Sequence, residues 1–488
     1  MPTTRSWSKQ QEAIFRWFAG GSGNLVVRAR AGTGKTTTIL EATGHAPEED
    51  IVLCAFNKRI ADELKTKLAN PRASARTLHS IGNGIVMRYW GHVRIDADRG
   101  IRLALKAAGG AAAPEPMAKL VYKLAGLGKN MAPDGDIGTL VRIADAYDCV
   151  PDEEWETEEG WGVGRVAECA SRAMALACEK DGTIDFDDMV YLPVRQKWAH
   201  GRFGMVVVDE AQDMNLTQLL LAQKVCRKGG RIVVVGDDRQ AIYSFRGADA
   251  GSIDRLKTEL GATELPLTIT YRCPKVVVEY ARRLVPDYMA APSAPEGKME
   301  TIGASKLVGE ALPGDFILSR SNAPLAKVCL RLLRSGKRAR IEGRDIGKGL
   351  VALVKKMGAK SIPQFMEKVT RWEARTIARI EAQGRESTEA KVDAIKDQAD
   401  TLRELAEGLS GPAELVARIE SLFAGNGGAA VVCSSVHRAK GLETDRVFIL
   451  SKTLYCNGKR QGDLEEANIE YVAVTRAKAI LTWVEGEV

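Results

Sequence analysis

Residues 24–38, NLVVRARAGTGKTTT, constrain the fold of this chain more than any other stretch. A short apolar run enters a glycine-bearing turn, and Lys35 and Thr36 follow where the first turn of a helix is expected. A strand that ends in such a loop aims backbone N–H groups, a helix N-terminus and one ammonium at a single spot, which suits a polyphosphate. Gly32 and Gly34 permit the tight backbone path, Lys35 reaches the outer phosphates, and the Thr36 hydroxyl is a ligand for Mg²⁺. Ala31 and Thr33 complete the loop around the nucleotide. Ala29 stands where the general pattern has its first glycine.

The flanking sequence extends this unit. Gln10 to Ile14 starts an amphipathic helix with Trp7, Ile14 and Trp17 towards the core. Gln10 carries an amide that both donates and accepts, as the edge of an adenine requires. IVLCAF at 51–56 reads as a buried parallel strand and 57–68 as a helix. SARTLHSIG at 74–82 reads as a short strand and then a polar break. Continuous apolar strands alternating with helices imply α/β architecture with a doubly wound parallel sheet. From about 84 to 183 the rhythm stops. Helices are predicted at 101–108, 117–127 and 163–179, with a solvated acidic loop, DEEWETEE, at 152–159.

The sheet pattern returns in FGMVVVDE at 203–210, where two carboxylates end an apolar strand, at the edge where open α/β sheets place their ligands. Asp209 can hold Mg²⁺ together with Thr36, and Glu210 can orient and deprotonate an attacking water. RIVVVG at 231–236 runs into DDRQAIYSFRGAD, in which Gln240 can sense a terminal phosphate. Tyr243, Phe245 and Arg246 suit bases stacked on rings beside a neutralised phosphate, although core aromatics with a surface arginine fit the same pattern.

A second α/β unit starts near Leu267 with LTITYRC. It has a loop at 285–297, strands at 316–320 and 338–341, and a helix at 323–335. The basic series Arg331, Arg334, Lys337, Arg338 and Arg340 fits a nucleic-acid backbone or a solvated helix face. Residues 349–425 read as charged helices, too short and polar for a large independent domain. Strands follow at 430–436 and 446–450, then a last helix carrying EEANIEYVAVTRAK. Arg272 and Arg476 are candidates to reach the γ-phosphate, where such arginines stabilise transition-state charge.

Composition sets few further limits. The 488 residues suffice for about three domain-sized units. A net charge of +7 is compatible with a polyanion partner and too weak to demonstrate one. The nine cysteines include no C-x-x-C pair, so neither a zinc site nor a disulfide framework is suggested. The opening MPTTRSWSKQQ has no apolar core of a signal peptide, and no apolar run reaches membrane-spanning length. A cytoplasmic setting is expected, or a nuclear one in a eukaryote.

The ordered series QQEAI, AGTGKT, AFNKRIADEL, TLHS, VVVDEAQD, VGDDRQAIYSFRGAD, ITYRC, VHRAKGLE and YVAVTRAK resembles the superfamily 1 DNA helicases of the UvrD/Rep/PcrA kind. IDFDDMVYLP at 184–193 and AFNKRIADEL look closest to the helicase region of F-box DNA helicases and phage-type relatives. The resemblance implies two RecA-like P-loop NTPase domains with mainly helical insertions. It divides the chain into 1–84 with 184–266, a helical insertion at 85–183, then 267–345 with 428–488, and a short charged insertion at 346–427. It implies ATP and Mg²⁺ in a cleft and single-stranded DNA across both domains. Carried over, Gln10 reads adenine, Tyr271 stacks on it, Thr37 lies nearby and Glu443 lies near the ribose. Lys35, Glu210, Gln240, Arg272 and Arg476 take the catalytic roles. Phe56, Asn57, His79, Tyr243, Phe245, Arg246 and His437 line the DNA path.

The expected activity is ATP-dependent 3′ to 5′ translocation on single-stranded DNA with duplex unwinding at single/double-strand junctions, in repair, recombination or replication. The polarity comes from the resemblance alone. The alternatives are a translocase that strips proteins from DNA, or an ATP-gated DNA-binding switch within a repair or defence complex. RNA is disfavoured by the motif forms, and protein partners are not legible. Three departures stand out: Thr37 where many relatives have arginine, Phe245 in place of tryptophan, and a short stretch between Gly343 and VHRAKGLE.

Overall fold

The computed structural model describes residues 6–151, 155, 160–242, 252–382, 388–424, 429–454 and 464–488. The chain divides into two compact units, Met1–Ala29 with Gly34–Leu267, and Arg30–Thr33 with Thr268–Val488.

Unit 1 runs α1 (Lys9–Gly20), β1 (Leu25–Ala29), α2 (Lys35–His45), β2 (Ile51–Ala55), α3 (Lys58–Lys67), β3 (Ala73–Thr77), α4 (Leu78–Trp90), β4 (Arg94–Ile95), α5 (Arg99–Ala108), α6 (Glu115–Met131), α7 (Ile137–Ala146), α8 (Val163–Ala177), β5 (Thr183–Ile184), α9 (Asp188–Arg195), β6 (Phe203–Val208), α10 (Leu216–Val225), β7 (Cys226–Gly236), α11 (Ser252–Leu260) and β8 (Thr263–Leu267). Its six-stranded sheet has the order β3-β2-β6-β7-β1-β8, with every pairing parallel. Side chains alternate across a strand, so an apolar run buried on both faces feeds two cores. Val26, Val52, Val206 and Val234 pack on one face with Leu219, Leu221 and Ile253. Leu25, Val27, Leu53, Val207 and Val233 pack on the other with Ile14, Phe18 and Ile39. Buried Arg231, on β7, donates to the carbonyls of Trp17, Phe18 and Gly21 and pairs with Glu48, which ties the end of α1 to the sheet.

Three local expectations change. The polar break after the strand at 74–82 is the start of α4: Thr77 accepts from the Ser80 N–H at 3.0 Å, so TLHS is a helix cap. A further helix, α7, lies in the insertion, and β7 begins at Cys226 rather than Arg231. The insertion helices enclose their own core, which includes Val121, Leu124, Leu140 and Met174. The acidic stretch, apart from Trp155, lies outside the described residues.

Unit 2 runs β9 (Ile269–Thr270), α12 (Lys275–Ala281), β10 (Met289–Ala290), β11 (Lys298–Gly303), α13 (Ala304–Glu310), β12 (Phe316–Ser319), α14 (Ala323–Arg334), β13 (Ala339–Ile341), α15 (Arg344–Met357), α16 (Ile362–Ala382), α17 (Thr388–Ala406), α18 (Pro412–Phe423), β14 (Val431–Ser435), α19 (Val436–Ala439), β15 (Thr444–Leu450), α20 (Ser451–Leu454), α21 (Leu464–Val474) and β16 (Ala477–Glu485). A second six-stranded parallel sheet has the order β11-β16-β15-β12-β14-β13. The predicted last helix through TRAK ends at Val474, and the residues after it form β16, between β11 and β15. The charged helices α15–α18 share one core with this sheet, through Phe365, Leu402, Leu415 and Phe423 among others. Asp397 on α17 accepts from the N–H groups of Asn322 and Ala323, capping α14. The fold class is therefore α/β, with two parallel-sheet domains flanked by helices.

Candidate functional site

Parallel strands place all their C-terminal ends on one edge of a sheet. In unit 1 that edge carries the residues after β1, β2, β3, β6 and β7: the loop to Lys35, then Phe56, the start of α4, Asp209 with Glu210, and Asp237 to Gln240. Gly32 (φ 69°) and Gly34 (φ 75°) take the left-handed backbone that the turn requires. Lys35 and Thr36 open α2, and Ala31 and Thr33 are buried. The segment 30–33 belongs to the contacts of unit 2. There the Ala31 N–H donates to the Tyr471 hydroxyl at 2.8 Å, and the Tyr288 hydroxyl donates to the Ala31 carbonyl at 2.9 Å.

The structure joins the candidate groups of unit 1 in a series. Lys35 Nζ lies 3.0 and 3.1 Å from the two oxygens of Glu210. Gln212 Nε2 donates to Glu210 at 2.6 Å, and its Oε1 accepts from the Asp237 N–H at 3.1 Å. Asp237 in turn accepts from Gln240 Nε2 at 2.7 Å. Gly236 makes the approach possible, since a Cβ there would stand 2.6 Å from Gln212 Oε1. Glu210 itself sits at φ 53°, a left-handed backbone that costs a non-glycine residue on the order of 1–2 kcal/mol.

Charge follows this geometry. Burial works against the Lys35 ammonium, but Glu210, Asp209 and Asp237 outweigh it and raise its pKa. Burial, followed by the neighbouring Glu210 charge, pushes Asp209 up to about 6, while Lys35 and a hydrogen bond from Thr36 pull the other way. Thr36 and Asp209 thus present two adjacent hard oxygen donors. That is the donor set Mg²⁺ takes from a protein when phosphate oxygens and water supply the rest.

Gln10 is half-buried in the first turn of α1, and the buried glutamine is its neighbour. Gln11 Nε2 donates to Thr38 on α2 at 2.9 Å, and its side chain closes a capping box with Ser8. Sequence reasoning missed Gln11, Gln212 and Asp237. The S-x-x-Q spacing before an apolar run marked the first of them. Thr37 is half-buried on α2.

In unit 2 the candidates lie at two opposite edges of the sheet. Glu443 precedes β15 and Arg476 precedes β16, whereas His437 follows β14. Arg272 Nε pairs with Glu443. Arg476 is 1% exposed and donates to the carbonyls of Val472 at 2.9 Å and Leu442 at 3.1 Å. Burial, then the Arg272 charge, lowers its pKa. Tyr271 is exposed.

Of the nucleic-acid candidates, Phe56 is 51% exposed beyond β2, and Asn57 caps α3 by accepting from the Ile60 N–H at 2.9 Å. His79 is half-buried, which lowers its pKa, and His437 is half-buried in α19. Tyr243, Phe245 and Arg246 lie outside the described residues. In the basic series, Lys337 is spent on the carbonyls of Gly309 and Ala311, and Arg334 pairs with Glu407 at 3.4 Å.

Residues 7–261 match the family described as the UvrD/REP helicase N-terminal domain. The chain belongs to the UvrD/REP helicase family. Residues 340–485 match the UvrD-like helicase C-terminal domain. Among relatives of this UvrD/REP-family protein, the ATP-dependent DNA helicase srs2 of Schizosaccharomyces pombe is 24% identical over 299 residues, covering 53% of this chain and 32% of that protein. DNA helicase II of Escherichia coli is 22% identical over 316 residues, 57% of this chain and 40% of that protein. The ATP-dependent DNA helicase UvrD2 of Mycobacterium tuberculosis is 25% identical over an alignment of 571 positions that covers 97% of this chain and 78% of that protein. With the first two, the match spans well under half of the relative's length.

Proposed function

We propose that this protein is an ATP-driven motor that moves 3′ to 5′ on single-stranded DNA and separates duplex at single/double-strand junctions. The observation that carries this reading is the linked series Lys35, Glu210, Gln212, Asp237 and Gln240 at one sheet edge of a UvrD/REP-family chain. The names of its relatives support the substrate class. We assign residues 1–84 with 184–266, and 267–345 with 428–488, to its two RecA-like domains.

The Lys35 ammonium holds both oxygens of Glu210. A polyphosphate arriving at the loop competes for that ammonium, so nucleotide binding frees Glu210 to take a proton from water. Gln240, fixed by Asp237, orients the water or the terminal phosphate. Thr36 and Asp209 would hold Mg²⁺, which when bound would neutralise charge on the β- and γ-phosphate oxygens. Arg272 and Arg476 are the proposed cations for charge developing on the γ-phosphate. Gln10, Thr37, Tyr271 and Glu443 are proposed for the base and ribose. Phe56, Asn57, His79 and His437, with Tyr243, Phe245 and Arg246, are proposed for DNA, where stacking tolerates any sequence. No helix among the described residues is long and apolar enough to cross a membrane, and we propose a cytoplasmic or nuclear setting.

The Lys35–Glu210 pair also favours a second reading, an ATP-gated DNA-binding switch or a protein-stripping translocase, because the lysine engages the proposed base until a polyphosphate competes for it. Steady-state ATP hydrolysis without nucleic acid, with single-stranded DNA and with single-stranded RNA decides between them, with Lys35→Ala as control. Strong stimulation by DNA alone, followed by displacement of a strand from 3′-tailed but not 5′-tailed duplexes, supports the motor. Stimulation without displacement supports the stripping translocase, and slow, unstimulated turnover supports the switch.

A further inference from the structure

Away from the nucleotide loop, the segment IDFDDMVYLP closes one side of a cleft of about 190 Å³ on the helical insertion of unit 1. For scale, about 150 Å³ admits a benzene-sized group. The lining is aliphatic at Ala97, Ala125 and Ala173, and it carries two exposed rings, Tyr122 at 44% and Phe186 at 60%. Two glycines keep the space open. A Cβ at Gly100 would stand 2.7 Å from the Tyr122 ring, and one at Gly126 would stand 3.7 Å from Asp187 Oδ2.

The charges around the cleft do not balance. Buried Lys129 lies 2.8 Å from Asp185 and 2.7 Å from Asp188, and buried Arg99 pairs with Asp188 at 2.6 Å and Asp181 at 3.3 Å. The four carboxylates Asp181, Asp185, Asp187 and Asp188 therefore meet the two cations Lys129 and Arg99, and among the described residues Asp187 is the one of the four in no ion pair. Its Oδ1 accepts from Asn130 at 3.3 Å, while its Oδ2 has no partner among the described residues. Burial, then the Asp185 charge, raises the Asp187 pKa, and the nearby Lys129 ammonium and the Asn130 hydrogen bond offset this only in part.

We propose that this cleft receives an arginine side chain presented by another polypeptide, its methylene stem over the alanines and its guanidinium against the Tyr122 and Phe186 rings, paired with Asp187. A planar guanidinium stacks on ring faces, bonds a carboxylate bidentately and carries an apolar stem, which are the three features this lining offers. Phosphate is disfavoured by the surplus of carboxylates. The proposal stands independently of the ATPase reading.

Saturation-transfer NMR on the full chain tests it, with the peptide Ac-Gly-Arg-Gly-NH₂, its neutral citrulline counterpart and adenosine as probes. Transfer to the arginine methylene protons is expected. It should fall about tenfold for citrulline and in Asp187→Asn, the scale of one desolvated cation interaction, and also in Gly126→Leu, which fills the cleft. Gly126→Leu improves helix propensity on α6, and an unchanged melting temperature shows that it folds. Asp187→Asn keeps the test decisive if it does not. Equal transfer to citrulline, transfer that both variants leave intact, or no transfer to arginine overturns the proposal. Transfer to adenosine that Gly126→Leu removes also overturns it, in favour of a base pocket.

Discussion

The two units use the same six-stranded parallel architecture and hold their polar groups in different ways. Unit 1 gathers its candidates on the C-terminal edge of its sheet, where each side chain is fixed by the next: lysine to glutamate, glutamate to glutamine, glutamine to the Asp237 backbone, aspartate to glutamine. Unit 2 puts Glu443 and Arg476 at the N-terminal edge and His437 at the other, and its two candidate arginines are occupied by Glu443 and by the carbonyls of Val472 and Leu442. A preorganised network costs little reorganisation when a reaction begins, whereas a tethered arginine must exchange partners to act elsewhere. On this contrast we expect the first unit to act with its groups largely in place, apart from one exchange at Lys35 when a polyphosphate arrives, and the second to supply groups whose engagement is conditional.

Removing a conditional group should have the largest effect. Arg272→Ala is expected to lower kcat for ATP hydrolysis by about 10³- to 10⁵-fold, the range for arginines that stabilise phosphoryl-transfer charge. Turnover within tenfold of the parent would restrict Arg272 to its pairing with Glu443. Glu210→Gln is expected to cost about 10²- to 10⁴-fold in kcat with ATP binding retained, and normal turnover would remove the general-base role. Gln212→Leu probes the network itself. It strips the Asp237 N–H of its acceptor, and denaturant melts should record a loss of about 1–3 kcal/mol together with slower turnover at unchanged KM. A stability loss with intact kcat would make the series structural only. For Phe56→Ala, a titration with single-stranded DNA should show weaker binding by about 1–3 kcal/mol, and unchanged affinity would separate that ring from DNA.

The smallest expected effect concerns pH. Burial lowers the His79 pKa, so the unfolded chain binds a proton near the ordinary value of about 6.5 that the folded chain refuses. Stability from this residue is present above that value and is lost as the pH falls through it towards the folded pKa. His79→Asn should flatten the acid limb of a melting-temperature profile, and an identical profile would assign the slope to other groups.

The elements that were legible in the sequence are those whose signal is local. FGMVVV and IVLCA are apolar throughout because both faces of a parallel strand are buried, and the glycine turn before Lys35 announces its own backbone. The start of α4 was hidden because a threonine cap looks like a polar loop until its hydroxyl is seen on the Ser80 N–H. β16 was hidden because no glycine or proline separates it from α21. The break comes where Thr475 and Arg476 turn back onto the carbonyls of Tyr471 and Val472. Of the candidate site, Lys35, Thr36, Asp209, Glu210 and Gln240 were picked out by motif spacing. Gln212 and Asp237, which hold Glu210 and Gln240, were not, because the link that joins them to one another spans the sequence between β6 and β7 and forms only once those strands pair.

The left-handed backbone at Glu210 ties durability to work. Glycine would relieve that strain, on the order of 1–2 kcal/mol, yet it would also strip the Lys35 ammonium and Gln212 of their shared acceptor, a loss of about 3–5 kcal/mol. Glu210→Gly should therefore lower the melting temperature. The strained backbone persists because the carboxylate it carries is anchored on both sides, so a laboratory selection for heat tolerance alone would keep the glutamate.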